Sequence, residues 1–177
     1  MPQLPEPPLR PLDHLAELAV AAGLGTRPAL ALREGTLNHN QLRQRVAMLA
    51  GWLAAMVPER GARVASWAAK GDLTCLLPLA AARAGLVHVP VNPLLKRAQA
   101  AHILGDCGAK LLIGTGSRLA SLEPGDLPAG CAAMGEAEAL AAAEAAGSAL
   151  GPSQADPHAL AAILYTSGST GRPKGVM

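Results

Sequence analysis

No phenylalanine occurs among the 177 residues, and the aromatic set is one Tyr and two Trp. So few rings cannot build the serial stacking platforms that single-stranded nucleic acid needs. Charge of one sign is missing too: Lys+Arg 15 against Asp+Glu 13 leaves +2, too weak a field to argue for nucleic acid or an acidic membrane surface. Cysteines number three, at 75, 107 and 131, odd in count and widely spaced. That excludes a disulfide framework and a CxxC metal knuckle. The best apolar run, residues 76–91, is interrupted by Pro78, Arg83 and His88 and falls short of a membrane span. The opening MPQLPEPPLRP has four Pro in its first eight residues and lacks the cationic-then-apolar order of a signal peptide. A cytoplasmic, reducing setting is expected.

Small side chains take up the space. The chain has 38 Ala and 19 Gly, an apolar share of 50% and a charged share of 16%, which is ordinary for a globular protein and too apolar for a disordered one. Its core must be filled with Ala, Leu and Val. Asp13 is placed to cap a first helix over 14–22, with Leu15, Leu18 and Ala22 on one face. Residues 29–32 and 36–37 flank Glu34-Gly35 as a short hairpin. Leu42, Val46, Leu49, Leu53 and Met56 recur at steps of four and three, a helical stripe that Pro58 stops. Residues 63–68, 87–91 and 110–113 read as strands. Between them lie helices over 72–84, capped by Asp72 and kinked at Pro78, and over 96–107, ended by Gly108. Such alternation implies an α/β fold with parallel pairing. Residues 114–130 read as loops, 131–149 as an Ala/Glu-rich helix, Gly151-Pro152-Ser153 as a hinge and 159–165 as a buried strand.

The chemistry sits directly after that last strand. Thr166-Ser167-Gly168-Ser169-Thr170-Gly171-Arg172-Pro173-Lys174-Gly175 holds three Gly, four hydroxyls and two cations, with no acid. Glycine lets a phosphate approach main-chain N–H groups, hydroxyls donate to its oxygens, and Lys174 supplies a compact charge. A flexible linker has the same composition, but it needs neither Arg-Pro-Lys-Gly at its end nor an apolar strand at its start. It is not a Walker A loop, because Pro173 replaces the second Gly and Gly175 follows Lys174.

Tyr165 through Gly175 resembles, over its full length, the AMP-binding signature of the acyl-adenylate-forming enzymes. Upstream, Thr36-Leu37 with the helix over 42–56, the strand from Gly61 to Ala68, Arg83-Ala84-Gly85 and Val89-Pro90-Val91-Asn92-Pro93 are similar to successive segments of that superfamily. More narrowly, Val91-Asn92-Pro93-Leu94-Leu95-Lys96, Ala101-His102-Ile103-Leu104 and Asp106-Cys107-Gly108 resemble acyl-CoA ligases found with exosortase A systems. The resemblance implies a doubly wound, mostly parallel sheet with flanking helices, the N-terminal lobe of an acyl-CoA synthetase-like fold. It also implies a two-step reaction. A carboxylic acid attacks the α-phosphorus of ATP, with magnesium, to give an acyl-adenylate and pyrophosphate; the thiol of coenzyme A, or of a carrier protein, then displaces AMP. By the same resemblance Thr166, Ser167, Gly168, Ser169, Thr170, Gly171 and Lys174 hold the β- and γ-phosphates, and Thr170 approaches the magnesium.

The family's ribose-binding Asp, acyl pocket and C-terminal catalytic Lys lie downstream of Met177 in this reading, so no catalytic residue is expected here and the chain alone is expected to be inactive. The expected division is an extended lead over 1–12, an α/β lobe over 13–151, and the start of a next subdomain over 152–177. The competing class is a non-catalytic α/β module that keeps only a phosphate- or partner-binding surface. Other signals are weaker. Gly114-Thr115-Gly116 lacks the third Gly of a dinucleotide fingerprint, and the five His show no metal spacing. Cys107 reads as a small buried hydrophobe.

Overall fold

The computed structural model of the protein describes residues 8–32, 35–167 and 173–177. A 3-10 turn at Leu12–His14 leads into α1 (Leu15–Ala21), and β1 (Pro28–Leu32) pairs antiparallel with β2 (Gly35–Asn38). Helix α2 (His39–Met56) starts at a capping box: Asn38 Oδ1 accepts from the Gln41 amide at 2.9 Å, and Gln41 Oε1 from the Asn38 amide at 2.9 Å. Then β3 (Arg63–Trp67), α3 (Asp72–Arg83), β4 (Val87–Pro90), α4 (Arg97–Cys107) and β5 (Leu111–Gly114) alternate. Gly108 closes α4 in the left-handed region at φ 59°, a conformation that any side chain would strain.

The central sheet is parallel throughout, in the order β4-β3-β5-β6, where β6 is Ala132–Gly135. The chain steps outward from β3 to β4 through α3, then jumps back across β3 to β5 through α4. That reversal puts the two crossover helices on opposite faces. On one side Val64, Leu111 and Ile113 pack against α2, α3 and α6 (Glu136–Ala146); on the other Ala65, Val89 and Leu112 pack against Ala100, Ile103 and Leu104 of α4. Strands buried on both faces need near-continuous apolar sequence; β5 supplies it, and β3 does so but for Ser66, whose hydroxyl meets His88 Nε2. This α/β arrangement agrees with the sequence reading.

Alanine substitutes for the missing aromatics by letting elements approach. Ala50, Ala80 and Ala81 are fully buried where α2 meets α3. Gly51 goes further, because a Cβ there would sit 2.1 Å from the Ser148 carbonyl oxygen of the segment after α6.

Several local expectations are corrected. Asp13 is not a helix cap but a buried carboxylate inside the 3-10 turn: it accepts from Ser153 Oγ at 2.7 Å, the Ser153 amide at 3.0 Å and Arg83 Nε at 3.3 Å. Arg83 Nη2 also reaches Glu17 at 2.7 Å. Helix α1 accordingly buries Ala16 and leaves Leu15 and Leu18 exposed, the reverse of the expected face. Gly71, not Asp72, caps α3; its amide donates to Thr74 Oγ1 at 2.9 Å, while Asp72 pairs with Arg45 at 2.8 Å. Helix α3 continues through Pro78. Residues 131–149 are not one helix, since the sheet edge recruits 132–135 as β6 before α6 begins. Short α5 (Gly116–Leu119) interrupts the expected loop after β5.

Candidate functional site

The segment carrying the hydroxyl- and glycine-rich motif joins the sheet at its edge. The His88 amide donates to the Ala161 carbonyl at 2.9 Å, and the Ile163 amide to the His88 carbonyl at 3.0 Å, so residues 161–163 run parallel to β4. Parallel direction fixes the exit: the chain leaves this contact at the carboxyl ends of the strands. Open α/β sheets bind their ligands at that end, beside the strand reversal. Here β7 (Leu164–Ser167) pairs antiparallel with β8 (Pro173–Val176), with Tyr165 opposite Gly175, Thr166 opposite Lys174 and Ser167 opposite Pro173. The expected buried strand over 159–165 is thus an edge contact at 161–163 followed by a half-exposed hairpin strand.

Thr166 and Lys174 face each other across the hairpin, and both are exposed. Gly168, Ser169, Thr170 and Gly171 lie outside the described residues, as does Arg172. A hydroxyl and an ammonium opposed in this way suit an anion, and the compact charge of Lys174 needs no fixed fork geometry to serve one. The structure therefore brings two of the candidate ligands together. Among the described residues no group of three or more His, Cys, Asp or Glu could hold a metal ion.

A cavity of about 350 Å³ opens between the carboxyl ends of β3 and β4 and the hairpin, lined among others by Ser66, Lys70, Thr74, His88, Asn92 and Tyr165. Burial pushes the His88 imidazole down to about 4, so the ring is neutral, and its Nε2 meets Ser66 Oγ at 2.9 Å. Burial, then the hydrogen bond to Asp106, raises the Tyr165 phenol and keeps it a donor. A cavity of about 390 Å³ lies at the opposite, amino ends of β3 and β4, away from Lys174. Burial favours the protonated form of both thiols near the sheet: it raises Cys107, and Cys131 is pushed up to about 11, first by burial.

Sequence reasoning gave no site role to four residues that matter to this geometry: His88, His102, Asp106 and Tyr165. A signal for the middle pair was present, since 102 and 106 stand one helical turn apart on α4. A search for histidine pairs overlooks a His-to-Asp spacing of the same kind.

The chain was compared with known proteins. The model of the family described as AMP-binding enzyme matches residues 19–177. An L-proline–[L-prolyl-carrier protein] ligase of Pseudomonas fluorescens is 36% identical over 160 residues, covering 84% of this chain and 30% of its own. A feruloyl-CoA synthase of an Amycolatopsis species is 36% identical over 166 residues, covering 88% of this chain and 33% of its own. Among solved structures, ATP-bound MatB from Rhodopseudomonas palustris superposes with a TM-score of 0.73 at 29% identity, over 86% of this chain and 32% of its own. The chain thus spans about a third of the length of these relatives. The match across nearly all described elements, with the hydroxyl-rich hairpin at the carboxyl end of a doubly wound sheet, makes this chain a member of the AMP-binding enzyme family.

Proposed function

We propose that the chain is the N-terminal part of an ATP-dependent, AMP-forming ligase and supplies its triphosphate-binding hairpin. One observation carries this: Thr166 and Lys174 stand opposite each other on a hairpin delivered to the carboxyl end of the parallel sheet. Thr166, Ser167 and Lys174, with Gly168, Ser169, Thr170 and Gly171 between them in sequence, are the residues proposed to hold the β- and γ-phosphates, and Thr170 to approach the magnesium. Bound magnesium would neutralise phosphate charge.

In the proposed reaction a carboxylate oxygen forms a bond to the α-phosphorus and the α–β phosphoanhydride breaks, releasing pyrophosphate. A thiolate then attacks the acyl carbon and AMP leaves. Charge accumulates on the departing pyrophosphate, so a hairpin that grips it acts where electrostatic help is worth most. Coenzyme A is the proposed thiol; the named relatives include both a carrier-protein ligase and a CoA synthase. The narrower assignment to acyl-CoA ligases of the exosortase A-associated type rests on residues 91–96 and 101–108. Residues 152–177 are proposed as the start of a second subdomain, because the edge segment and hairpin follow the last helix of the sheet layer. The remaining steps belong to the longer protein, and the chain alone is proposed not to complete them.

Calorimetric titration of the chain with Mg-ATP tests the reading. Loss of the ammonium in Lys174→Ala should weaken binding by about tenfold or more, the scale of one charge-assisted hydrogen bond. Equal affinity in the two proteins overturns it. Acid-dependent ATP–pyrophosphate exchange by the chain alone would overturn the assignment of the remaining steps elsewhere.

A further inference from the structure

Both strands of the hairpin are tied to the same helix. On β7 the Tyr165 hydroxyl donates to Asp106 Oδ2 at 2.5 Å; on β8 the Pro173 carbonyl lies 3.3 Å from His102 Nε2. A carbonyl only accepts, so His102 Nε2 carries the proton in that contact. His102 and Asp106 are four residues apart on α4 and share one face of it. Four residues of helix rise about 6 Å, close to the ~4.8 Å between paired strands, so one turn spans the hairpin.

Each tied residue immediately precedes a candidate phosphate ligand. Tyr165 leads to Thr166 and Pro173 to Lys174, and those two ligands are opposite each other in register. Alternation along a strand turns Tyr165 and Gly175 toward one face and Thr166 and Lys174 toward the other. Gly175 has a steric part in this. A Cβ there would lie 3.2 Å from Tyr165 Cζ and 3.0 Å from Ile163 Cγ2, so the glycine leaves the room through which the Tyr165 ring crosses its partner strand.

We propose that His102 and Asp106 of α4 are positioning residues that clamp the two stems of the phosphate hairpin and so fix the separation and facing of Thr166 and Lys174. Neither touches the phosphates; each acts through the residue next to a ligand. The inference rests on the triphosphate reading above. It also ties the site to the sheet core, because α4 packs Ile103 and Leu104 beneath the same turn that carries the clamp.

The test uses the whole chain with two probes, Mg-ATP and inorganic tripolyphosphate, and two readouts: affinity by calorimetry and amide exchange over residues 164–176. Tyr165→Phe and Asp106→Ala should each weaken both probes about fivefold and quicken exchange in the hairpin, the scale of one net hydrogen bond. Combining them should cost little more than either alone, since they break one contact. Asp106→Asn keeps an acceptor for the phenol and should restore affinity to within about twofold. His102→Ala should act on the β8 side in the same direction. These conservative changes lie on partly exposed groups, and unchanged thermal melts separate the clamp from general stability. If the wild type binds and Tyr165→Phe and Asp106→Ala bind equally well, the positioning role is wrong while the phosphate reading stands. If the wild type binds neither probe, the phosphate reading falls and the positioning role falls with it.

Discussion

The β3–β6 sheet and the β7–β8 hairpin are built on different principles. Beyond its backbone ladders the sheet is held by two apolar layers in which Leu49, Leu53, Leu77, Ile103, Leu111 and Leu112 are all but inaccessible, an adhesion that no single contact dominates. The hairpin leaves Leu164 and Val176 more than half exposed and is secured by separate polar contacts: two backbone bonds on His88, one phenol and one imidazole. A site built this way can lose its alignment without loss of the fold. Stability and phosphate affinity should therefore respond to different substitutions, and the difference between the two regions can be broken or sharpened on that basis.

The largest effect is expected deep in the first region. Arg83 and Asp13 form a pair whose side chains are 1% and 0% exposed, and Arg83 also holds Glu17 and the Leu150 carbonyl. Arg83→Ala leaves the Asp13 carboxylate buried without its countercharge and should cost about 3–5 kcal/mol in a urea melt. A loss below about 1 kcal/mol would show that water reaches this cluster, and the sheet region would no longer be the rigid partner in the comparison.

His88 stands at the joint between the regions, and its titration gives the next effect. The unfolded imidazole binds a proton near 6.5 and the folded one near 4, so between those values the unfolded state holds more protons. Stability conferred by this group is present above pH 6.5 and is lost as pH falls to about 4, by about 3 kcal/mol in all. The groups sharing its cavity, Lys70, Thr74 and Tyr165, include no carboxylate that would favour the charged ring. His88→Gln should flatten the stability profile across that window; an equally steep profile would locate the titration elsewhere.

A smaller effect, with a sign that discriminates, is expected at Gly51. Helix propensity alone says that Ala in the interior of α2 should gain up to about 1 kcal/mol. The Ser148 carbonyl 2.1 Å from the new Cβ says otherwise, because backbone must move to admit it. Gly51→Ala should destabilise by about 1–3 kcal/mol, the cost of overpacking. A gain would mean that the segment after α6 is loosely held.

Much of the sheet region was legible in the sequence because its signal is local. The stripe from Leu42 to Leu53 and the runs 63–67 and 111–113 announce their own burial, and Gly108 its own turn. What failed depended on partners far along the chain. Asp13 has the chemistry of a cap, and only the arrival of Arg83 and Ser153 makes it a buried acceptor. Residues 132–135, Ala-Ala-Met-Gly, carry no β-branched side chain and become a strand because β5 offers an unpaired edge. In the hairpin the balance is reversed. The motif identifies itself by residue order, while the groups that hold it, His88, His102 and Asp106, sit 59 to 75 positions upstream of the residues they bind.

The smallest expected change is the sharpest test of the difference between the regions, because it uses one substitution in both. Leu112→Ala removes a fully buried side chain from between two packed layers and should cost about 2–5 kcal/mol. Leu164→Ala removes the same atoms from a side chain that is 55% exposed on a strand that, among the described residues, is paired only with β8, and should stay within about 0.5 kcal/mol. Mg-ATP affinity should not change with Leu164→Ala either, since Leu164 pairs in register with Val176 and supplies neither a clamp contact nor a polar group for a phosphate. A Leu164→Ala cost above about 1 kcal/mol that grows with protein concentration would mean that a second copy covers the hairpin in solution. The polar contacts to α4 would then be only part of what holds it, and the division between an adhesive sheet and a tethered site would fail at its weaker end.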